Sequence, residues 1–351
     1  MNIMRIDYVF KKIRDHITKG TLVSTLIKRT LRIEPVTKII NTLPYNSIYR
    51  RVVDREIIKF SRSPLSKSVS INIENTNACN ANCIMCPREL MTRRIGYMDM
   101  ELFKKIIDDI KKSNLSVKNI CLNGFGEPLL DPLLPERIEY IKRELGCDVI
   151  FFTNGSLLCG EMAVQILNSG IDEINISLNG LGKEYERIMG GLSYKKISDN
   201  VKNFMKKRGE LGLERPFVYI SCVYIHKDFN KKQFLDEWKD IVDSIFITPA
   251  EKWSDSEDDI PYEELPYKFK EWPCKRLWEN IWIAWDGKVH LCCKDYDGKM
   301  IMGDLKRESL SDIWFGNKFQ NIRKLHQKNK FEQIPLCKGC GNLVDNSIQW
   351  W

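Results

Sequence analysis

The sequence has little histidine, no long apolar run and no repeat. Four histidines in 351 residues offer few nitrogen ligands for a metal, and none is near the densest group of cysteines. No stretch of about eighteen uncharged apolar residues occurs, so nothing reads as a membrane-spanning helix. The first residues lack the charged, apolar and small-residue succession of an export signal, and the expected compartment is the cytoplasm. The absence of low-complexity tracts and internal repeats excludes solenoids, propellers and disordered arrays. Twelve cysteines in a chain expected to meet a reducing compartment argue against a disulfide scaffold and for metal binding or catalysis.

The chain has 43% hydrophobic residues, enough for one large domain and a smaller one without a covalent staple. Its charge is uneven. Residues 1–68 carry fifteen Lys or Arg against five Asp or Glu, +10 of the total +8, which leaves −2 for the rest. Ile3, Met4, Tyr8, Val9, Ile13 and Ile17 fall roughly on one helical face. This arm reads as a solvated, partly helical extension. Peripheral contact with a membrane surface is the alternative, and nucleic acid is not an expected partner.

From residue 69 short β-branched runs alternate with amphipathic stretches. Strands are expected at 69–76, 117–124, 148–155, 172–180, 217–224 and 244–250, with helices at 100–112 and 135–145 and near 160–169, 194–208 and 231–240. Six strands alternating with five helices imply an α/β fold with parallel strands, a partial (β/α)6 TIM-like barrel over 69–250. An acidic, proline-containing linker is expected at 251–270. Beyond it, 271–351 reads as a small C-terminal domain built round a metal, with a strand-like IWIAWDGKVHLCC turning at Asp286-Gly287.

The cysteines fall in two sets: Cys79, Cys83 and Cys86 in CNANCIMCP, and Cys274, Cys292, Cys293, Cys337 and Cys340. A structural zinc site wants four protein ligands, and a catalytic one usually includes histidine. Three thiolates on one loop can instead hold three irons of a [4Fe-4S] cubane, whose full protein ligation takes four, and leave one iron open. Asn80, Ala81 and Asn82 are small or turn-forming and let the backbone wrap the cluster.

The CxxxCxxC spacing directly after a first strand resembles the radical S-adenosylmethionine (radical SAM) superfamily. The resemblance implies that SAM chelates the open iron, that an electron from the cluster splits it, and that the 5′-deoxyadenosyl radical formed takes a hydrogen atom from the substrate. It implies an external one-electron donor such as flavodoxin or ferredoxin. Among SAM contacts it implies Met85, where an aromatic residue is common; Gly126 and Glu127 of Gly124-Phe125-Gly126-Glu127-Pro128, which departs at Phe125 from a Gly-Gly-Glu-Pro run; Thr153 and Asn154; Ser177 and Asn179; and Arg187. Ordinary turn chemistry explains the strand-end residues equally, and Arg187 reads as a solvated arginine too.

The second set resembles the SPASM and shorter twitch extensions of the same superfamily. Gly287 is followed by Cys292 and much later by Cys337-Lys-Gly-Cys340, with MGDLKRESLSDIW and PLCKGC as connecting segments. The resemblance implies an auxiliary [4Fe-4S] cluster on Cys274, Cys292, Cys337 and Cys340, with Cys293 a neighbour or alternative. An acceptor beside an alcohol radical favours dehydrogenation of a sugar, cyclitol or nucleotide-linked sugar. Radical epimerisation, for which Cys121 or Cys222 would return a hydrogen atom, and peptide maturation are the enzymatic alternatives; a zinc-stabilised RNA-binding module is the non-enzymatic one. No catalytic residue is assigned: His290, Lys294, Asp295 and Arg187 are base candidates by location alone.

Overall fold

The computed structural model describes residues 68–226, 228–250, 273–338 and 340. The basic arm up to residue 67, with its apolar helical face, and the linker at 251–270 lie outside them.

Strand β1 (Ser68–Ile73) shows the pattern that builds the barrel. Val69, Ile71 and Ile73 are fully buried against the helices, and Ser70 and Asn72 turn to the opposite face. Helix α1 (Met100–Lys112) starts where the Asp99 carboxylate accepts the Leu102 N–H. It buries Leu102, Phe103, Ile106, Ile107 and Ile110, spaced three and four apart. The pattern then repeats through β2 (Ser116–Leu122), α2 (Leu134–Leu145), β3 (Asp148–Thr153), α3 (Gly160–Asn168) and β4 (Glu173–Ser177).

Between β4 and β5 (Phe217–Tyr224) stand two helices, α4 (Gly182–Met189) and α5 (Tyr194–Glu210), where the sequence suggests only the second. Helix α4 is two turns long and is held by Tyr185, Ile188 and Met189, which are buried on one face. Helix α6 (Lys231–Trp238) and β6 (Ser244–Pro249) complete the six-strand series.

Strands β1 to β6 pair in parallel, each with the next. The sheet does not close on itself: a seventh strand, β7 (Asn280–Ile283), lies parallel to β1 on its other side, with Asn72 opposite Trp282. Strands β8 (Lys288–His290) and β9 (Ile301–Asp304) follow antiparallel, giving one nine-stranded sheet, β6-β5-β4-β3-β2-β1-β7-β8-β9. The architecture is therefore a partial TIM-like barrel whose C-terminal region extends its sheet. Gly287 makes the β7–β8 turn at φ 86°, a conformation that favours glycine. Helices α7 (Arg276–Glu279), α8 (Leu310–Trp314) and α9 (Asn317–Gln327) pack around this extension. Among the described residues no helix is long and apolar enough to cross a membrane.

Candidate active site and the two cysteine sets

Directly after β1 the chain buries four polar residues in succession, Glu74, Asn75, Thr76 and Asn77. Each has a partner that fixes the following loop, and of their side-chain polar atoms Asn75 Oδ1 has none. Asn75 Nδ2 donates to the Pro128 carbonyl at 3.1 Å and to Asp131 at 3.0 Å, and Asp131 is held by Arg137 at 2.8 Å. The Thr76 hydroxyl donates to the Gly96 carbonyl and accepts the Ala78 N–H, while Asn77 binds both Arg94 O and Gly96 N–H. Burial of that much polarity is tolerable only with such pairing.

The cysteine loop is stitched on two sides. Glu127 N–H donates to the Ala78 carbonyl at 2.8 Å, and a Cβ on Gly126 would lie 2.4 Å from the Thr76 carbonyl oxygen. On the other side Asn82 N–H donates to Gly190 O at 2.9 Å and Ile84 N–H to Ile188 O at 3.0 Å. Gly190, at φ 37°, has no room for a side chain against Asn82. Helix α4 thus delivers the Met189-Gly190-Gly191 turn that backs the loop, a role its YERIMGG sequence does not advertise.

Cys79, Cys83 and Cys86 are half-buried neighbours. Burial, then the adjacent Cys86 and Cys79 thiols, pushes Cys83 up to about 12, and burial raises Cys79 and Cys86 as well. Cys83 Sγ lies 3.6 Å from Met189 Sδ. Among the described residues no three such side chains close round a single metal ion as they stand. Three soft donors on a loop with glycine-lined backs fit a body larger than one ion, and binding it would displace their protons.

The residues at the strand ends hydrogen-bond mainly to one another. Glu127 accepts from the Thr153 hydroxyl at 2.6 Å and from Asn154 N–H at 2.7 Å; burial pushes it up to about 7 against those donors. Asn154 Nδ2 donates to Asn80 Oδ1 at 2.9 Å, and Asn80 in turn to the Ser156 hydroxyl, which ties the cysteine loop to the end of β3. Asn179 accepts Val223 N–H and lies 3.1 Å from Met189 Sδ. Met85 packs on the main core, and Ser177 ends β4 opposite Ser221. Arg187 is exposed and pairs with His226 at 2.7 Å.

The second set gathers from three places: Cys274 before α7, Cys292 and Cys293 after β8, and Cys337 with Cys340 near the end of the described chain. Burial, partly offset by Arg276, lifts Cys274 to about 11, with Cys340 and Cys293 as neighbours. Cys337 is raised by burial beside Cys274 and Cys340. Cys292 is raised first by its hydrogen bond with Cys293 and then by burial. The adjacent thiols touch each other and pack against different groups. Cys292 packs against the main core with Cys274 and Cys340, and its sulfur accepts the Lys294 N–H at 3.4 Å; Cys293 packs against Phe125, Trp282 and Tyr296.

That aromatic group packs on Cys293 of the second set. Phe125, which departs from the expected glycine, has its ring 6.3 Å from Trp282 and 6.1 Å from Tyr296. Glu74, fully buried, clamps the junction. Its carboxylate receives both Arg93 guanidinium nitrogens at 2.6 Å and the N–H of Phe125 and of Trp285, and Arg93 Nε donates to the Tyr296 carbonyl. Glu74→Ala would leave the partly buried Arg93 without its carboxylate and strip the Phe125 and Trp285 N–H groups of their acceptor, and a loss of about 3 kcal/mol is expected in denaturant unfolding of the apoprotein. A loss below about 1 kcal/mol would show the clamp to be dispensable.

His290 donates from Nδ1 to the Asp295 carbonyl at 2.9 Å, and the Asp295 carboxylate accepts the N–H groups of Lys299 and Met300. His290 Nδ1 and both Asp295 carboxylate oxygens are therefore committed to the β8–β9 turn. The face of the sheet turned away from the helices is mixed: the register sets Asn72 beside Cys121, Cys121 beside Ile150, and Asn175 between Phe152 and Tyr219, with the Ser221 hydroxyl donating to Asn175 at 2.7 Å. Cys121 lies on that face, whereas Cys222 belongs to the helix-side core.

A three-thiol loop at the mouth of a partial barrel, with a second thiol set on the same sheet, defines a class of enzyme. The chain belongs to the radical SAM superfamily, whose profile matches residues 73–228. It is a member with a SPASM iron-sulfur cluster-binding domain, matched over 274–341. Its cofactors are S-adenosylmethionine, a [4Fe-4S] cluster and an auxiliary iron-sulfur centre.

Among relatives, a tungsten-containing aldehyde ferredoxin oxidoreductase cofactor-modifying protein of Pyrococcus furiosus is 25% identical over 80% of this chain and 90% of its own. An S-adenosyl-L-methionine-dependent 2-deoxy-scyllo-inosamine dehydrogenase of Niallia circulans is 24% identical over 78% of this chain and 92% of its own. The crystal structure of BtrN in complex with AdoMet and 2-DOIA shares the fold at 20% identity and a TM-score of 0.53, over 80% of this chain and 96% of that one.

Proposed function

We propose that the protein is a radical SAM dehydrogenase that oxidises an alcohol carbon of a small polyhydroxylated ring, a sugar or cyclitol. The observation that carries this reading is the pairing of β7 with β1, which puts the second cysteine set on the same sheet as the three-cysteine loop, with Cys293 packed against Phe125, Trp282 and Tyr296. The similarity over most of both chains to a 2-deoxy-scyllo-inosamine dehydrogenase supports the same substrate class.

When bound, the cluster, SAM and the auxiliary centre supply a hydrogen-atom-abstracting radical and a one-electron acceptor. Cys79, Cys83 and Cys86 hold the first centre, fed by an external one-electron donor. Met85, Gly126, Ser177 and Asn179 line the SAM site, and Glu127, Thr153 and Asn154 keep its backbone in place. Arg187 is drawn aside to His226. Cys274, Cys292, Cys337 and Cys340 hold the second centre, while Cys293 faces the aromatic group. Phe125, Trp282 and Tyr296 keep water out of the space between, and Asn72, Asn175 and Ser221 offer hydrogen bonds to hydroxyl groups.

The substrate loses one hydrogen atom, one electron and one proton in all. Incubation of the reduced, reconstituted enzyme with SAM and a set of sugars and aminocyclitols is expected to give a product two mass units lighter, with one 5′-deoxyadenosine per product. Cys121, on the inner face, favours epimerisation as the second reading. A product of unchanged mass in H2O that is about one mass unit heavier in D2O would select it and overturn dehydrogenation.

A further inference from the structure

Helix α9 brings His326 between two members of the second cysteine set. The ring is 1% exposed. Its Nδ1 lies 3.3 Å from the main-chain N–H of Cys274, and its Nε2 lies 3.4 Å from Cys337 Sγ. A main-chain amide can only donate, so Nδ1 accepts; the single proton of the neutral imidazole is then on Nε2, facing the sulfur.

The helix is held against rotation one turn earlier. Arg323 stacks over Trp314 at 4.2 Å and donates to the carbonyls of Leu277 and Trp314, both at 2.8 Å. The Phe331 ring lies 5.9 Å from the imidazole, tilted by 32° to it. Elsewhere the sulfurs take main-chain amides, those of Asn80 and Ala81 at Cys79, Arg88 at Cys86, Arg276 at Cys274 and Lys294 at Cys292. At Cys337 the donor is a side chain.

We propose that His326 is a positioning residue that sets the reduction potential of the auxiliary centre, by donating from Nε2 to the Cys337 thiolate while its Nδ1 fixes the backbone of Cys274. The inference rests on the reading of Cys274 and Cys337 as ligands of an electron-accepting centre. A hydrogen bond to a ligating sulfur withdraws charge from the cluster, favours the reduced state and raises the potential. An acceptor poised in this way takes an electron from a deprotonated alcohol radical more readily.

The test is a redox titration of the full-length chain with both centres assembled, followed by electron paramagnetic resonance, for wild type, His326→Phe and His326→Gln. His326→Phe is expected to make reduction of the auxiliary centre about tenfold less favourable, a shift of about 59 mV toward negative potential for one electron. His326→Gln, which keeps an N–H donor, is expected to recover most of that shift, and the N-terminal centre is expected to stay where it is in both. An unmoved midpoint in His326→Phe with both centres present would overturn the proposal. If His326→Phe fails to hold the auxiliary centre, wild-type protein labelled with 15N-histidine decides. Hyperfine coupling of a histidine nitrogen to the auxiliary centre supports the contact, and its absence overturns it. A wild-type chain that assembles a single centre overturns the dehydrogenase reading as well as this one, whereas two centres with an unmoved midpoint overturn His326 alone.

Discussion

Cys83→Ala is expected to hold about four iron atoms per chain where the wild type holds about eight, and to lose SAM cleavage by a factor on the order of 1,000 or more. Cys83 is the middle thiol of its loop, and burial, then its neighbours on both sides, raise its pKa. The alanine leaves two thiolates for the centre, and nothing close by substitutes: Met189 Sδ, 3.6 Å away, is a thioether with no charge to neutralise iron. The fold should survive, because the loop is held by the Ala78, Asn82 and Ile84 backbone contacts rather than by the sulfur. The check is 5′-deoxyadenosine formed under dithionite, together with iron content. Cleavage above about a tenth of the wild-type rate would remove Cys83 from the ligand set.

The second large effect separates electron transfer from a structural staple. Cys337→Ala is expected to lose the auxiliary centre, to retain part of SAM cleavage and to form almost no oxidised product. The two cysteine sets have their own supports, the first through Gly126, Gly190 and the end of α4, the second through α9 and the β8–β9 turn. Damage to the second therefore need not spread to the first. The ratio of 5′-deoxyadenosine to product measures the result and should rise on the order of 100-fold. If that variant oxidised substrate at the wild-type rate, the second centre would be a staple and no acceptor.

The barrel was legible because its strands alternate so cleanly. Val69, Ile71 and Ile73, or Val149 and Phe151, announce a buried face by residue type alone. Helix α1 spans the expected 100–112, with Asp99 as its cap, and Asp286-Gly287 marks a hairpin that the structure contains. Helix α4 was not legible, since eight residues with three apolar positions carry no periodicity to count.

The site was legible where chemistry is concentrated in short motifs and illegible where it depends on distant partners. Cys79 to Cys86 is a motif. The Glu74–Arg93 clamp, its tie to Tyr296 and the reach of His326 to Cys337 depend on which loops the topology brings together. Arg187 shows the same limit: nothing local announces that His226 would claim it. The spacing from Gly287 favours Cys292 over Cys293, and what the sequence does not carry is the different surroundings the two side chains enter.

The parallel pairing of β7 with β1 has a consequence for protein engineering. The auxiliary region is fastened by main-chain hydrogen bonds to the strand that leads into the SAM loop, including Glu74 N–H to Ile283 O. It is therefore not a cassette. A chimaera that transplants residues 273–340 onto another barrel must carry β1 and its Glu74 along, or the grafted strands arrive with a bare edge and no fixed separation between donor and acceptor.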